Sequence, residues 1–572
     1  MNSFHFFVHA SDIEKSKKVL YNKNTEKFRK VLKILFIISE DNMCKKVLSV
    51  ILCMCMLFGL CAVPSFAADV CDCDELPIVY VRGRSTVYKD KYTREVDLPD
   101  ISDEEIKNRI KPMLSLLAKG YFSGDYTEYG NALANAFKEL YADFSPDSKG
   151  NFPGNSGNYY DPAWSYRDIH RNIPAEGDYE GATRHLMEYT FEYDFRSSPW
   201  DIADDLLEYI TNIKRITGHS RINVVARCLG SCIASAYFAK YGWSDVNSVV
   251  MYNPTCNGTI VTNALFTGNL ALNVDSVNYF VNQNVETDDT LYKFLISSLD
   301  MLNSVYGLRL TAAALSSEVN KIAAVCAPAC TRASYGTMGG YWAMVGPEYY
   351  EKARAYVFPG EYAEEYKAII EKTDLYYYNV AAKLPEMFKA MAADGVNMKF
   401  IAKYGLQAYP LSDEAQEQSD MIISVRQQTF GASSAKMGKK FSYFYLREAK
   451  KNGTDKYISA DKTVDCSTAL FPDSTWLIKD FTHNSFPPVV DVMILKLLEN
   501  GGRTAVWDNE SYPQYLVINK EADTLTPLTA ENPGSQVNDG FAATLMTYMS
   551  NLMEILMKVL DVITGIFDVI KA

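Results

Sequence analysis

Residues 221–242 read RINVVARCLGSCIASAYFAKYG, and the reading of this stretch decides the fold. Ile222-Asn223-Val224-Val225 is a short β-branched run of the kind that makes a buried central strand. Cys232 to Tyr241 is small and apolar, which suits a helix packed closely on a sheet. Between them, Ala226-Arg227-Cys228-Leu229-Gly230 places a small residue two before and two after Cys228. A strand that turns this sharply into a helix leaves no room for bulk at those positions, and it lifts the side chain between them. Centring the turn on Ser231 fails, because Leu229 and Ile233 would then fill the positions that must be small. A cysteine buried only as a small hydrophobe is the competing reading of this stretch taken alone.

Neighbouring segments decide between the two. The spacing resembles the G-x-S-x-G nucleophile elbow of α/β-hydrolases, with cysteine in the serine slot. Pro77-Ile78-Val79-Tyr80-Val81-Arg82-Gly83-Arg84 resembles the lipase and esterase strand P-V-V-L-V-H-G, whose following loop supplies half of an oxyanion hole; Arg82 replaces the usual histidine. Tyr189 to Arg196 resembles the Y-D-W-R strand of lecithin:cholesterol-acyltransferase-like lipases. After a strand at Val246–Tyr252, Asn253-Pro254-Thr255-Cys256-Asn257-Gly258-Thr259 resembles the A-T-P-H-x-G-T segment of bacterial lipases. The chain therefore resembles lipase-like α/β-hydrolases over about residues 76–260 and 397–500. The resemblance implies an α/β fold, a doubly wound and mostly parallel sheet with a large helical cap insertion. Polyhydroxyalkanoate synthases and dienelactone hydrolases share a cysteine at this slot, but the other segments are more lipase-like.

The chain divides accordingly. Residues 1–67 read as leader and signal peptide: Met43-Cys44-Lys45-Lys46 is basic, Val47 to Val63 is uncharged, and Pro64-Ser65-Phe66-Ala67 offers a cleavage site after Ala67. An uncleaved membrane anchor is the alternative. Residues 68–259 form the first part of the hydrolase core, with helical stretches at Asp103–Phe144 and Trp200–Ile216 and a loop over 145–180. Residues 260–396 form a cap with helices at Leu291–Tyr306, Ala312–Ala327, Glu348–Tyr356 and Tyr362–Glu371. Within it, glycines around Met338, Tyr341 and Trp342 suit a lid that holds an acyl chain, and ordinary packing of a helical subdomain is the alternative. Residues 397–526 complete the core, and 541–572 form an amphipathic C-terminal helix. That helix docks on its own domain, lies in a membrane interface or joins copies of the chain.

The base follows from chain order. In hydrolases of this kind the catalytic histidine follows the last strand. Of six histidines, only His483 lies beyond the strand Thr475–Lys479. The acid has two candidates. Ser419-Asp420-Met421-Ile422-Ile423 resembles the N-D-G-L-V acid loop of bacterial lipases, and Asp461-Lys462-Thr463-Val464 resembles the D-G-T-V segment of the acyltransferase-like group. Neither keeps the glycine after the aspartate. Asp420 is preferred, because it lies soon after the strand Asn397–Tyr404. The implied chemistry is acyl-ester hydrolysis by a Cys228–His483–Asp triad. Backbone N–H groups of Leu229 and the Arg84 region would form the oxyanion hole. An acyltransferase of the same fold and a catalytically degenerate envelope binding protein are the alternatives.

Composition bounds the rest. A chain of 572 residues with 48% hydrophobic content can bury a large core. A net charge of −13 argues against nucleic acid as a partner and offers no basic membrane patch. No histidine accompanies the cysteines at metal-ligand spacing, so neither metal nor cofactor is expected. Export permits disulfides, and Cys326-Ala327-Pro328-Ala329-Cys330 is a candidate local bridge or a partner for other cysteines.

Overall fold

Hydrophobic runs buried on both faces build the centre of the fold. The computed structural model describes residues 76–85, 87–88, 95–96, 108–109, 111–158, 189–270, 312–410, 412–519 and 522–534. The leader, Cys71, Cys73, His170, His185 and the expected helices at 291–306 and 541–570 lie outside the described residues. Eight strands form the main sheet: β1 (Ile78–Val81), β2 (Thr190–Phe191), β3 (Ile222–Arg227), β4 (Val246–Tyr252), β5 (Asn397–Tyr404), β6 (Thr475–Lys479), β7 (Tyr515–Asn519) and β8 (Thr524–Pro527). Their spatial order is β8-β7-β6-β5-β4-β3-β1-β2. All neighbours run parallel except β7 and β8. The chain winds outward from the centre in both directions, which is the doubly wound arrangement anticipated above.

Side chains alternate across this sheet into two apolar layers, as strand geometry requires. Val224 and Ala226 join one cluster with Ile233 and Phe238, whereas Val225 joins another with Trp476 and Ile494. Helices α1 (Leu114–Ser123), α2 (Thr127–Leu140), α3 (Pro199–Thr217) and α4 (Gly230–Tyr241) follow in the first part of the chain. The expected helix at 103–144 is broken at Gly124, whose φ of 74° ends α1 in a left-handed cap. Ser198 caps α3 by accepting the Trp200 N–H, and Pro199 occupies its first position.

Two strand expectations need correction. Tyr189–Arg196 contributes only the two residues of β2, because its second half folds into a turn. There Arg196 grips Asp194 through Nε to Oδ1 at 2.9 Å and Nη2 to Oδ2 at 2.6 Å. In the other direction, β8 pairs antiparallel at the sheet edge where no strand was anticipated.

The described cap is helical: α5 (Ile260–Thr267), α6 (Ala312–Ala333), α7 (Gly339–Ala343), α8 (Tyr350–Val357), α9 (Lys367–Asn379) and α10 (Leu384–Ala393). Of these, α5, α7 and α10 were not anticipated, and the helix expected at Tyr362–Glu371 is instead a single turn at Tyr362–Glu365 followed by α9. Cys326 and Cys330 lie one turn apart on α6, and both are free thiols. No described helix is long and apolar enough to cross a membrane.

Candidate active site

Cys228 stands at the end of β3, where the chain turns into α4. Its φ is 50°, in the left-handed region that a side chain bearing Cβ adopts at a cost. Several contacts hold it there. The Cys228 N–H donates to Tyr252 O at 3.1 Å, and Cys228 O accepts the Ser231 N–H at 2.9 Å and the Ser231 hydroxyl at 2.6 Å. Ser231 Oγ also accepts the N–H groups of Thr255 and Cys256. The serine rejected above as the centre of the turn is thus a brace for it. Gly230 explains the small-residue requirement, since a Cβ there would lie 2.3 Å from Val81 O and 2.4 Å from Arg82 O.

His483 follows β6, and its ring meets both partners. Nε2 lies 3.1 Å from Cys228 Sγ, and Nδ1 lies 2.7 Å from Asp420 Oδ2. Backbone geometry fixes the Asp420 carboxylate. Asp420 Oδ1 accepts the N–H groups of Ile422 at 3.1 Å and Ile423 at 2.8 Å, which leaves Oδ2 for the ring. The His483 N–H also donates to Asp420 O at 2.9 Å. Asp461 is engaged elsewhere. It accepts from the hydroxyls of Ser459 at 2.6 Å and Thr463 at 2.8 Å, and pairs with Lys479 Nζ at 2.8 Å. Both aspartates precede a residue of positive φ, Met421 at 88° and Lys462 at 61°. The two loops share a turn that glycine would enter without strain, so the local pattern could not separate them.

Charge is shared along the three groups. Burial alone would raise the Cys228 thiol. His483 beside it, with the Leu229 N–H and Arg227, instead draws it below its ordinary value. Burial would lower His483, but the Asp420 carboxylate and then the Cys228 thiolate raise it to about 9. Both shifts favour the charged pair, thiolate and imidazolium, over the neutral one.

Two contacts of His483 were not read from the sequence. Lys403, fully buried on β5, donates to the carbonyls of His483 at 3.0 Å and Ser485 at 2.7 Å. Its Nζ also lies 4.1 Å from the ring centres of Phe481 and Phe486. A lysine inside the apolar run Phe400-Ile401-Ala402-Lys403-Tyr404 was the available signal. Asn253, at the end of β4, places Nδ2 3.1 Å from His483 Nδ1.

The β1 loop passes over Cys228. A Cβ on Gly83 would lie 3.2 Å from Cys228 Cβ and 3.7 Å from Sγ. The Tyr193 hydroxyl donates to Arg82 O and Gly83 O, both at 2.8 Å. Because the peptide is trans, the Arg84 N–H points away from Tyr193. Arg82, in the usual histidine position, pairs with Glu192 at 2.9 Å.

The lid expectation is corrected for two residues. Met338 is wholly buried, and Trp342 packs among Phe266, Tyr350 and Phe358 while its Nε1–H donates to Gly336 O at 2.8 Å. These side chains serve the interior, because glycines let the segment lie flat on the core. A Cβ on Gly340 would lie 2.0 Å from Phe195 O and 3.2 Å from Leu229 Cδ2. Tyr341 is partly buried and stacks on Tyr335 at 4.5 Å. Among the described residues, no group of His, Cys, Asp and Glu could hold a metal ion.

Residues 161–297 match a family model described as the alpha/beta hydrolase fold. No curated protein and no solved structure matches the chain significantly.

Proposed function

We propose that this chain, whose fold is that of the α/β-hydrolases, is an exported carboxylic ester hydrolase of lipase or esterase type. The observation that carries the reading is the unbroken line from Cys228 Sγ through both ring nitrogens of His483 to Asp420 Oδ2. The Cys228 thiolate attacks the ester carbonyl carbon, and the carbonyl electron pair moves to oxygen. Backbone N–H groups of Leu229 and Arg84 receive the oxyanion. His483 gives its Nε2 proton to the leaving alkoxide as the C–O bond breaks, and a thioester remains on Cys228. His483 then takes a proton from water, the hydroxide attacks the thioester, and the thiolate leaves. Asp420 keeps the Nδ1 proton in place throughout. Replacement of the usual serine by cysteine favours one second reading, since a thioester also passes its acyl group to alcohols or thiols. Product analysis with and without such an acceptor separates the two. The segment Met43–Ala67 supports export.

The test is turnover of activated acyl esters by the folded full chain. Cys228→Ala and His483→Ala should each abolish it, and unchanged activity in either would overturn the reading.

A further inference from the structure

We propose that Asn253 is a positioning residue for His483, its side-chain oxygen serving as a second acceptor for the Nδ1 proton beside Asp420 Oδ2. The inference rests on the triad reading above. Asp420 at 2.7 Å requires the proton on Nδ1, so that nitrogen is a donor. The Asn253 Nδ2 at 3.1 Å is a donor as well, while Asn253 Oδ1 is buried with no hydrogen-bond partner. Two donors facing each other beside an orphaned acceptor is the wrong way round for an amide. A half-turn about χ2 exchanges its ends without changing its shape and brings the oxygen to Nδ1. The proton then sits between a carboxylate and a carbonyl oxygen, which fixes the ring plane and favours the imidazolium.

A backbone role competes with this. Asn253 has a φ of 37°, and asparagine tolerates left-handed backbone better than most residues. Glycine separates the two roles, because it satisfies the backbone and removes the amide.

The experiment measures the rate of Cys228 alkylation by iodoacetamide against pH in the full-length protein, with the adduct located by peptide mass spectrometry. Asp420, Asn253, Lys403 and Cys228 contact His483, with Arg227 beside Cys228 and Tyr252 beside Lys403, and only the first two are changed. Asn253→Gly should move the midpoint of thiolate formation up by about one pH unit. Asn253→Asp in an Asp420→Asn background should restore alkylation near pH 6 at least about tenfold over Asp420→Asn alone. That pair is isosteric, so it carries the test if the glycine variant does not fold. An unmoved midpoint in folded Asn253→Gly, or a double variant no faster than Asp420→Asn, overturns the proposal. Alkylation needs no turnover. If these shifts occur in a protein that cleaves no ester, the hydrolase reading fails and the role of Asn253 stands.

Discussion

At the scale of single residues, the pH dependence of turnover depends on which groups hold the proton at rest. His483 is raised to about 9 and Cys228 is lowered, so both shifts favour the ion pair below about pH 9. Hydrolysis of esters with poor leaving groups should therefore rise as Cys228 ionises, below the usual thiol range. It should fall again as pH passes about 9 and the imidazolium loses its proton. A pH profile of kcat/KM checks both limbs, and a profile still rising above pH 9 contradicts the assignment. The aspartates give a second prediction. Asp420→Asn should lower the rate by up to about 10⁴-fold with the fold intact. Asp461→Asn should leave the rate near wild type while weakening a buried ion pair by roughly 3 kcal/mol, read by urea unfolding. His483 was legible because chain order left it no competitor. Asp420 was legible only as a preference, since both acid loops carry the same positive-φ turn. Asn253 was hidden for a related reason: it lay inside a matched segment, and only the fold brings β4 to the ring of His483.

At the scale of elements, the elbow and the His483 loop are the two devices that hold the site. Gly230→Ala should break the first, because its Cβ would meet the backbone carbonyls of Val81, which ends β1, and of Arg82, which follows it, and neither can swing aside as a side chain would. Loss of activity with a cooperative but less stable unfolding transition is the outcome expected. Lys403→Met keeps the stem packed among Phe481 and Phe486 but removes the donor that holds the carbonyls of His483 and Ser485. We expect kcat to fall about tenfold or more with KM little changed, as when a general base is misplaced. Strands β4, β5 and β6 could be read to their last residue, because each is an apolar run bounded by polar or glycine-containing turns. The fate of Met338 and Trp342 could not. A glycine-rich aromatic segment reads alike whether it covers a substrate or lies flat on a core, and only the contacts of Gly339 and Gly340 decide.

At the scale of the whole molecule, seven parallel strands and one antiparallel edge bring together groups far apart in sequence. Cys228 ends β3 near the middle of the sheet, Asp420 follows β5, and His483 follows β6. Their meeting is a consequence of the parallel order, since loops that leave the carboxyl ends of neighbouring strands converge on one side. The doubly wound, mostly parallel arrangement was legible from the succession of strands and helices; the short edge strand β8 was not, having little apolar pattern of its own. The central claim is that an acyl group resides on Cys228 during turnover. Rapid acid quench of the full chain with an activated acyl ester, followed by peptide mass spectrometry, measures this directly. The account predicts an acyl mass on the peptide holding Cys228, accumulating in His483→Ala only to a trace. An acyl mass on another residue, or turnover with Cys228 unmodified and replaceable by alanine, would contradict it.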